Sequence, residues 1–99
     1  DLEFNLDTLS VHRGKSEIYL NPIGLKLLQC LMQASPNVVS RNDLEVEVWG
    51  EELPDSDSLR VHIHSLRSAI DKPFGSNMIQ TRHGIGYRLV EADAVPPQA

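Results

Sequence analysis

Ninety-nine residues, 40% of them hydrophobic and 23% charged, describe one ordinary globular domain with apolar mass for a single modest core. No apolar run approaches the ~20 residues that span a bilayer and no secretory leader opens the chain, so membrane insertion is not expected and a cytoplasmic protein is. The single cysteine, Cys30, excludes an internal disulfide and fits a reducing compartment, while a net charge of −5 argues at first sight against a nucleic-acid partner.

Leu2, Phe4 and Leu6 alternate with polar residues, as do Leu9 and Val11, then Ile18 and Leu20, with turn-like breaks at Asp7-Thr8 and Arg13-Gly14-Lys15-Ser16. This pattern predicts a small antiparallel meander, covered on one face and structural in role. The chain starts inside its first strand, as a fragment of a longer protein would. Asn21-Pro22 is a helix start, with Asn at the N-cap and Pro at the first helical position. Ile23, Leu27, Leu28, Leu31 and Met32 continue at helical spacing to about Ala34, which predicts a core helix. Gly24 is a local weakness there, costing ~1 kcal/mol relative to Ala in a helix interior. Cys30 lies among those leucines and is expected to be a buried, inert thiol.

Ser40-Arg41-Asn42-Asp43 resembles a capping box with Asp in place of Glu. The next residues conflict with it, because Leu44, Val46 and Val48 alternate with Glu45, Glu47 and Trp49 at strand period. A short helix from Arg41 to Val48 is expected, since the cap is explicit and Leu44 and Val48 still share a helical face. Trp49 to Pro54 is an acidic loop broken by Gly and Pro.

The stretch from Pro54 to Lys72 predicts the last long helix, ending near Asp71. Asp55, Ser56, Asp57 and Ser58 supply capping oxygens, and acidic side chains suit the positive end of the helix. Leu59, Ile63, Leu66 and Ile70 form a buried stripe; Val61, His64, Ser65 and Ser68 occupy the opposite face, flanked by Arg60 and Arg67. Taken alone, this helix reads more readily as an ordinary amphipathic surface helix. A turn at Pro73–Asn77 leads into two strands, Met78–Arg82 and Tyr87–Val90, joined by His83-Gly84-Ile85-Gly86. Two glycines so close allow a tight hairpin whose tip lies near a neighbouring surface. The domain is expected to occupy residues 1–91, with a disordered tail over 92–99.

The charge is polarised along this order. Residues 1–57 hold 4 basic and 11 acidic side chains (−7), residues 58–90 hold 5 and 1 (+4), and Glu91 with Asp93 adds −2. His62, His64 and His83 also fall in the positive segment. A phosphate backbone should therefore meet only the C-terminal third.

Three helices followed by a β-hairpin, with a sheet in front, make an α+β winged helix-turn-helix order. The chain resembles the OmpR/PhoB-type effector domain of bacterial two-component response regulators. The residues carrying the resemblance are Leu20–Leu31, Val39–Leu44, Val48–Gly50, Leu59–Asp71 and Ile79–Arg88, nearly the whole chain and in the family's order. The resemblance implies sequence-specific binding of double-stranded DNA, with the helix Ser58–Asp71 in the major groove and the hairpin 79–90 as a wing near the minor groove. It further implies that Ser58, Arg60, Val61, His64 and Ser65 face bases and nearby phosphates. Trp49, His62, Thr81 and Tyr87 match phosphate contacts, and His83 matches the wing-tip residue of the minor groove. Glu51, Glu52, Leu53 and Asp55 match the loop that touches RNA polymerase in some members. An N-terminal receiver domain, a cognate histidine kinase and a dimer on repeated half-sites complete the implied setting; no cofactor or metal is implied.

The departures from the family pattern are specific. His64 and Ser65 stand where members often carry two arginines, His83 where they carry an arginine, Gly24 where a Glu completes the first capping box, and Asp57 where some have a phosphate-binding arginine. A bidentate arginine–guanine contact gives ~1–3 kcal/mol of discrimination, and this helix offers at most Arg60 for one. Weaker monomer binding is expected, with specificity drawn from Val61 on a thymine methyl, Ser65 and DNA shape. Protonation of His64 and His83 below about pH 6.5 should tighten binding.

Several of these residues have plainer readings. Arg67 suits a structural ion pair better than a DNA contact. His62 and Trp49 suit core packing as well as phosphate, and Arg82 and Arg88 suit solvated strand positions better than base reading, though either could reach phosphate. Among rival functions, a metal site of His62 and His64 fails because i and i+2 diverge by 200° on a helix. No nucleophile–base pair, phosphate loop or paired acid points to an enzyme. A protein-binding winged helix remains the alternative.

Overall fold

The computed structural model describes residues 2–50 and 58–90. The loop residues Glu51, Glu52, Leu53 and Asp55, the Pro54–Asp57 lead-in and the tail from 91 lie outside the described residues.

A three-stranded antiparallel sheet opens the chain, with β1 (Leu2–Asn5), β2 (Ser10–Arg13) and β3 (Ser16–Ile18) in that spatial order. The expected alternation fails at Leu6 and Leu9, which are 53% and 58% exposed. The Asn5 side chain accepts the N–H groups of Asp7 and Thr8 at 2.9 and 3.2 Å, so the chain turns before Leu6 can join the strand. Leu9 then takes a left-handed φ of 55°.

Helix α1 (Pro22–Ala34) begins as its sequence dictates: the Asn21 side chain accepts the Gly24 N–H at 2.7 Å, with Pro22 at the first position. Gly24 has a steric use here, because a Cβ would press to 3.3 Å from the capping oxygen and 3.4 Å from Leu20 Cβ. Helix α2 (Arg41–Trp49) is capped by Ser40, whose hydroxyl accepts the Asp43 N–H at 3.1 Å. Its cap outweighed the strand-like alternation. Leu44 and Val48 are buried, whereas Val46 faces outward. Helix α3 (Ser58–Ile70) presents Leu59, Ile63, Leu66 and Ile70 to the core together with Leu27, Leu28 and Leu31 of α1.

The second sheet has the order β4-β6-β5, with β4 (Val39–Ser40), β5 (Ile79–Arg82) and β6 (Gly86–Leu89). Strand β4 was not legible in the sequence, since two residues carry no period. It pairs with β6 through Val39↔Tyr87 and Ser40↔Gly86, which fastens the hairpin to the front of α2. Gly86 is required at that crossing: a Cβ would overlap the Val39 carbonyl. No helix among the described residues is long and apolar enough to cross a membrane.

Beneath α3 lies a buried polar cluster that no local pattern announced. Arg13, 5% exposed, donates to the Ile70 carbonyl at 2.6 Å and to the Ser76 hydroxyl, lies 3.9 Å from Asp71 and stacks 4.7 Å above the Phe74 ring. Asp71, 3% exposed, accepts the Met78 and Ile79 N–H groups at 2.8 and 3.1 Å and the Ser76 hydroxyl at 2.7 Å. One carboxylate thus fixes where α3 stops and where β5 starts, and a guanidinium from β2 locks that corner to the first sheet.

Candidate nucleic-acid interface

Because α3 buries its apolar stripe against α1, its other face turns outward. Arg60, Val61, His64 and Ser65 are exposed, Val61 by 57%. The hairpin stands beside that face. Its turn is closed by the Ile85 N–H donating to the Arg82 carbonyl at 2.9 Å, with Gly84 at φ 77°. The Arg41 N–H donates to the Ile85 carbonyl at 3.2 Å, so the turn rests against the first residue of α2.

Between α3 and the hairpin runs an open channel of 610 Å³. Arg60, Val61, His64 and Arg67 of α3, Thr81, Arg82, His83 and Tyr87 of the hairpin, and Arg41 of α2 contribute to its walls. Among the described lining residues, four guanidinium groups and two imidazoles meet with no carboxylate. In a chain of net charge −5, such a concentration of one sign sets a local potential opposite to that of the whole. Two of the three acidic side chains of α2, Asp43 and Glu47, lie elsewhere, around a separate surface recess beside Cys30. Cys30 is half-buried at that recess rather than enclosed among the leucines as expected; partial burial, then the charges of Glu47 and Asp43, push its thiol above its ordinary pKa and keep it protonated.

Arg67 is structural, as its angle on the helix suggested, but its partners are neutral. Its Nε donates to the Ile79 carbonyl at 3.2 Å, another nitrogen donates to the Thr81 hydroxyl, and its guanidinium sits 6.0 Å from the Tyr87 ring centre. It therefore braces α3 to β5. Thr81 is exposed, and with its oxygen accepting from Arg67 its own proton points to other acceptors. Tyr87 is only 7% exposed and packs into the core, with an edge on the channel. Arg88 is tied to Gln80 Oε1 through two donors at 2.9 and 2.7 Å.

His62 and Ser65 do not share that channel. They border a second, smaller recess with Asn21 and Gly24 at the start of α1. The His62 ring is half-buried and lies tilted against Trp49, with centroids 5.8 Å apart. The packed-histidine reading of His62 and the core-capping reading of Trp49 thus describe one contact. Ser58 is half-buried at the head of α3. Arg41 is the lining residue that sequence reasoning missed; as the second residue of a capping box it looked like part of a helix start.

Residues 15–89 match the family described as "Transcriptional regulatory protein, C terminal". The chain belongs to that family. It is 36% identical over 90 residues to the phosphate regulon transcriptional regulatory protein PhoB of Rhizobium meliloti (strain 1021), a match covering 90% of this chain and 40% of PhoB. It is 43% identical over 79 residues to the DNA-binding dual master transcriptional regulator RpaA of Synechocystis, covering 77% of this chain and 32% of RpaA. Its fold superposes on the DNA-binding domain of CpxR from E. coli with a TM-score of 0.78 at 30% identity, over 92% of this chain and 91% of that one. The chain therefore corresponds to a whole DNA-binding domain of CpxR and to less than half the length of the PhoB and RpaA regulators. The winged-helix architecture expected from the order of elements is that of this response-regulator family.

Proposed function

We infer that this domain binds double-stranded DNA as the output module of a two-component transcriptional regulator. The single observation that carries the reading is the arginine channel between the exposed face of α3 and the hairpin, whose described lining residues include no carboxylate. Helix α3 enters the major groove, with Arg60, Val61, His64 and Ser65 toward base edges. The hairpin is the wing, with His83 directed to the minor groove. Ser58, Trp49, His62, Thr81 and the exposed edge of Tyr87 meet phosphates.

In the longer regulator a receiver domain precedes this one and carries the phosphorylated aspartate, so no aspartate of the present chain has that role. Phosphorylation by the cognate kinase promotes pairing on direct-repeat half-sites. A single module of this size buries only ~600–1,000 Å² on DNA, which is why pairing matters for affinity. Glu51, Glu52, Leu53 and Asp55 form the segment available to RNA polymerase.

The deciding experiment is a salt titration of binding to a random duplex pool and to a site selected from it. DNA binding predicts log affinity falling linearly with log salt, by about 0.9 per phosphate engaged. A flat dependence, with tight binding to protein partners instead, would replace this reading with a winged-helix protein-interaction module.

A further inference from the structure

We propose that Arg41 and Arg82 form a two-pronged phosphate clamp at the mouth of the channel, holding the DNA strand that separates the groove read by α3 from the groove met by the wing. This rests on the DNA-binding reading above and adds residues to it. Ser40 pairs with Gly86, and Gly86 pairs in turn with Arg82, so these three stand in one row across β4, β6 and β5. Neighbouring strands lie about 4.8 Å apart, which places the Ser40 and Arg82 backbones roughly 10 Å from each other across that row. Arg41 follows Ser40 and is held to the wing turn by its own N–H on the Ile85 carbonyl at 3.2 Å.

The two guanidinium groups are thus brought to one rim by the pairing of Ser40 with Gly86, 46 residues apart in the chain, and both line the same channel. Like Arg60, which lies on the exposed face of α3, they are available, and this separates them from Arg13, Arg67 and Arg88. Arg67 is spent on Ile79 and Thr81, Arg88 on Gln80 and Arg13 on the corner under α3. The Arg41 and Arg82 side chains are exposed and make no hydrogen bond or ion pair with the described residues. The narrow contact at Gly86 leaves no side chain between them to fill the space. Guanidinium groups lining a channel with no carboxylate among its described residues select a phosphodiester, and two of them on separate elements select a continuous strand rather than a lone anion.

The test compares Arg41→Gln, Arg82→Gln, the double variant and the control Arg88→Gln in salt titrations on the random duplex pool and on the selected site. Each clamp substitution should flatten the log–log salt slope by about 0.9 and the double by about 1.8, which is about 3.5-fold less affinity change per contact between 50 and 200 mM salt. Preferred sequence and urea midpoint should stay those of the parent, and Arg88→Gln should leave the slope unchanged. A parent that binds steeply while both clamp variants keep its slope would overturn the clamp alone. So would a changed sequence preference in either variant, which would make it a base reader. A parent with no salt dependence would instead overturn the DNA reading beneath it.

Discussion

Asp71→Ala is the substitution that most directly questions how α3 and the wing are joined. The carboxylate is 3% exposed and holds two backbone N–H groups, Met78 and Ile79, along with the Ser76 hydroxyl and the nearby Arg13. A buried donor left without a partner costs about 1–3 kcal/mol, so the two amides alone account for about 2–6 kcal/mol. Removing one member of a buried charge pair costs about 3–5 kcal/mol, which falls in the same range. A loss of about 4 kcal/mol is therefore expected, against a total near 5–15 kcal/mol for a chain of this length.

Urea unfolding followed by circular dichroism measures it. With a slope of about 2 kcal/mol/M the midpoint should fall by about 2 M. Arg13→Met should cost less, because Asp71 keeps its three neutral donors while the methionine still packs on Phe74. The double variant should cost less than the sum of the two, as expected for groups sharing one network. A loss below about 1 kcal/mol for Asp71→Ala, or strict additivity with Arg13→Met, would refute the claim that this carboxylate joins helix to wing.

Other substitutions probe other levels of the structure. Gly86→Ala should cost about 1–3 kcal/mol in urea unfolding or more, since the new methyl meets the Val39 backbone rather than a flexible side chain; an unchanged midpoint would show that β4 does not press on β6. Arg60→Ala and Ser65→Ala should shift the sequence preference in selection experiments, whereas His62→Ala, acting through its stack on Trp49, should weaken all sequences alike. Unchanged preference in the first two would remove them from base reading. Cys30 has its thiol pKa raised by burial, then by Glu47 and Asp43. At mildly alkaline pH it should react with iodoacetamide more slowly in the folded chain than in urea. The sign for stability follows: the folded state holds the thiol proton more tightly, so this contribution is present below the unfolded pKa and lost as pH rises through the folded one. Equal alkylation rates would contradict the burial.

What could be read from the amino acids alone was local or compositional. Asn21-Pro22 and Ser40-Arg41-Asn42-Asp43 announced two helix starts because a cap needs only a side-chain oxygen three residues from its amide. Leu59, Ile63, Leu66 and Ile70 marked the buried stripe of α3, and so its outward face, because helical period is a property of spacing. The shift of positive charge into the last third located the candidate site, and the order of elements matched that of the family.

Tertiary structure decided what depends on residues far apart. Arg13 and Asp71 meet across 58 positions, and neither shows in the sequence as anything but a turn residue and a helix end. The two-residue β4, too short for any period, sets the wing against α2 and brings Arg41 into the channel. Arg67 was legible as structural, but its partners on β5 were not. His62 and Ser65 fell on a different side of α3 from His64, because the start of α1 and the wing flank that helix on opposite sides. Spacing dictates which face of an element is apolar; which distant groups that burial brings together is set only when the elements pack.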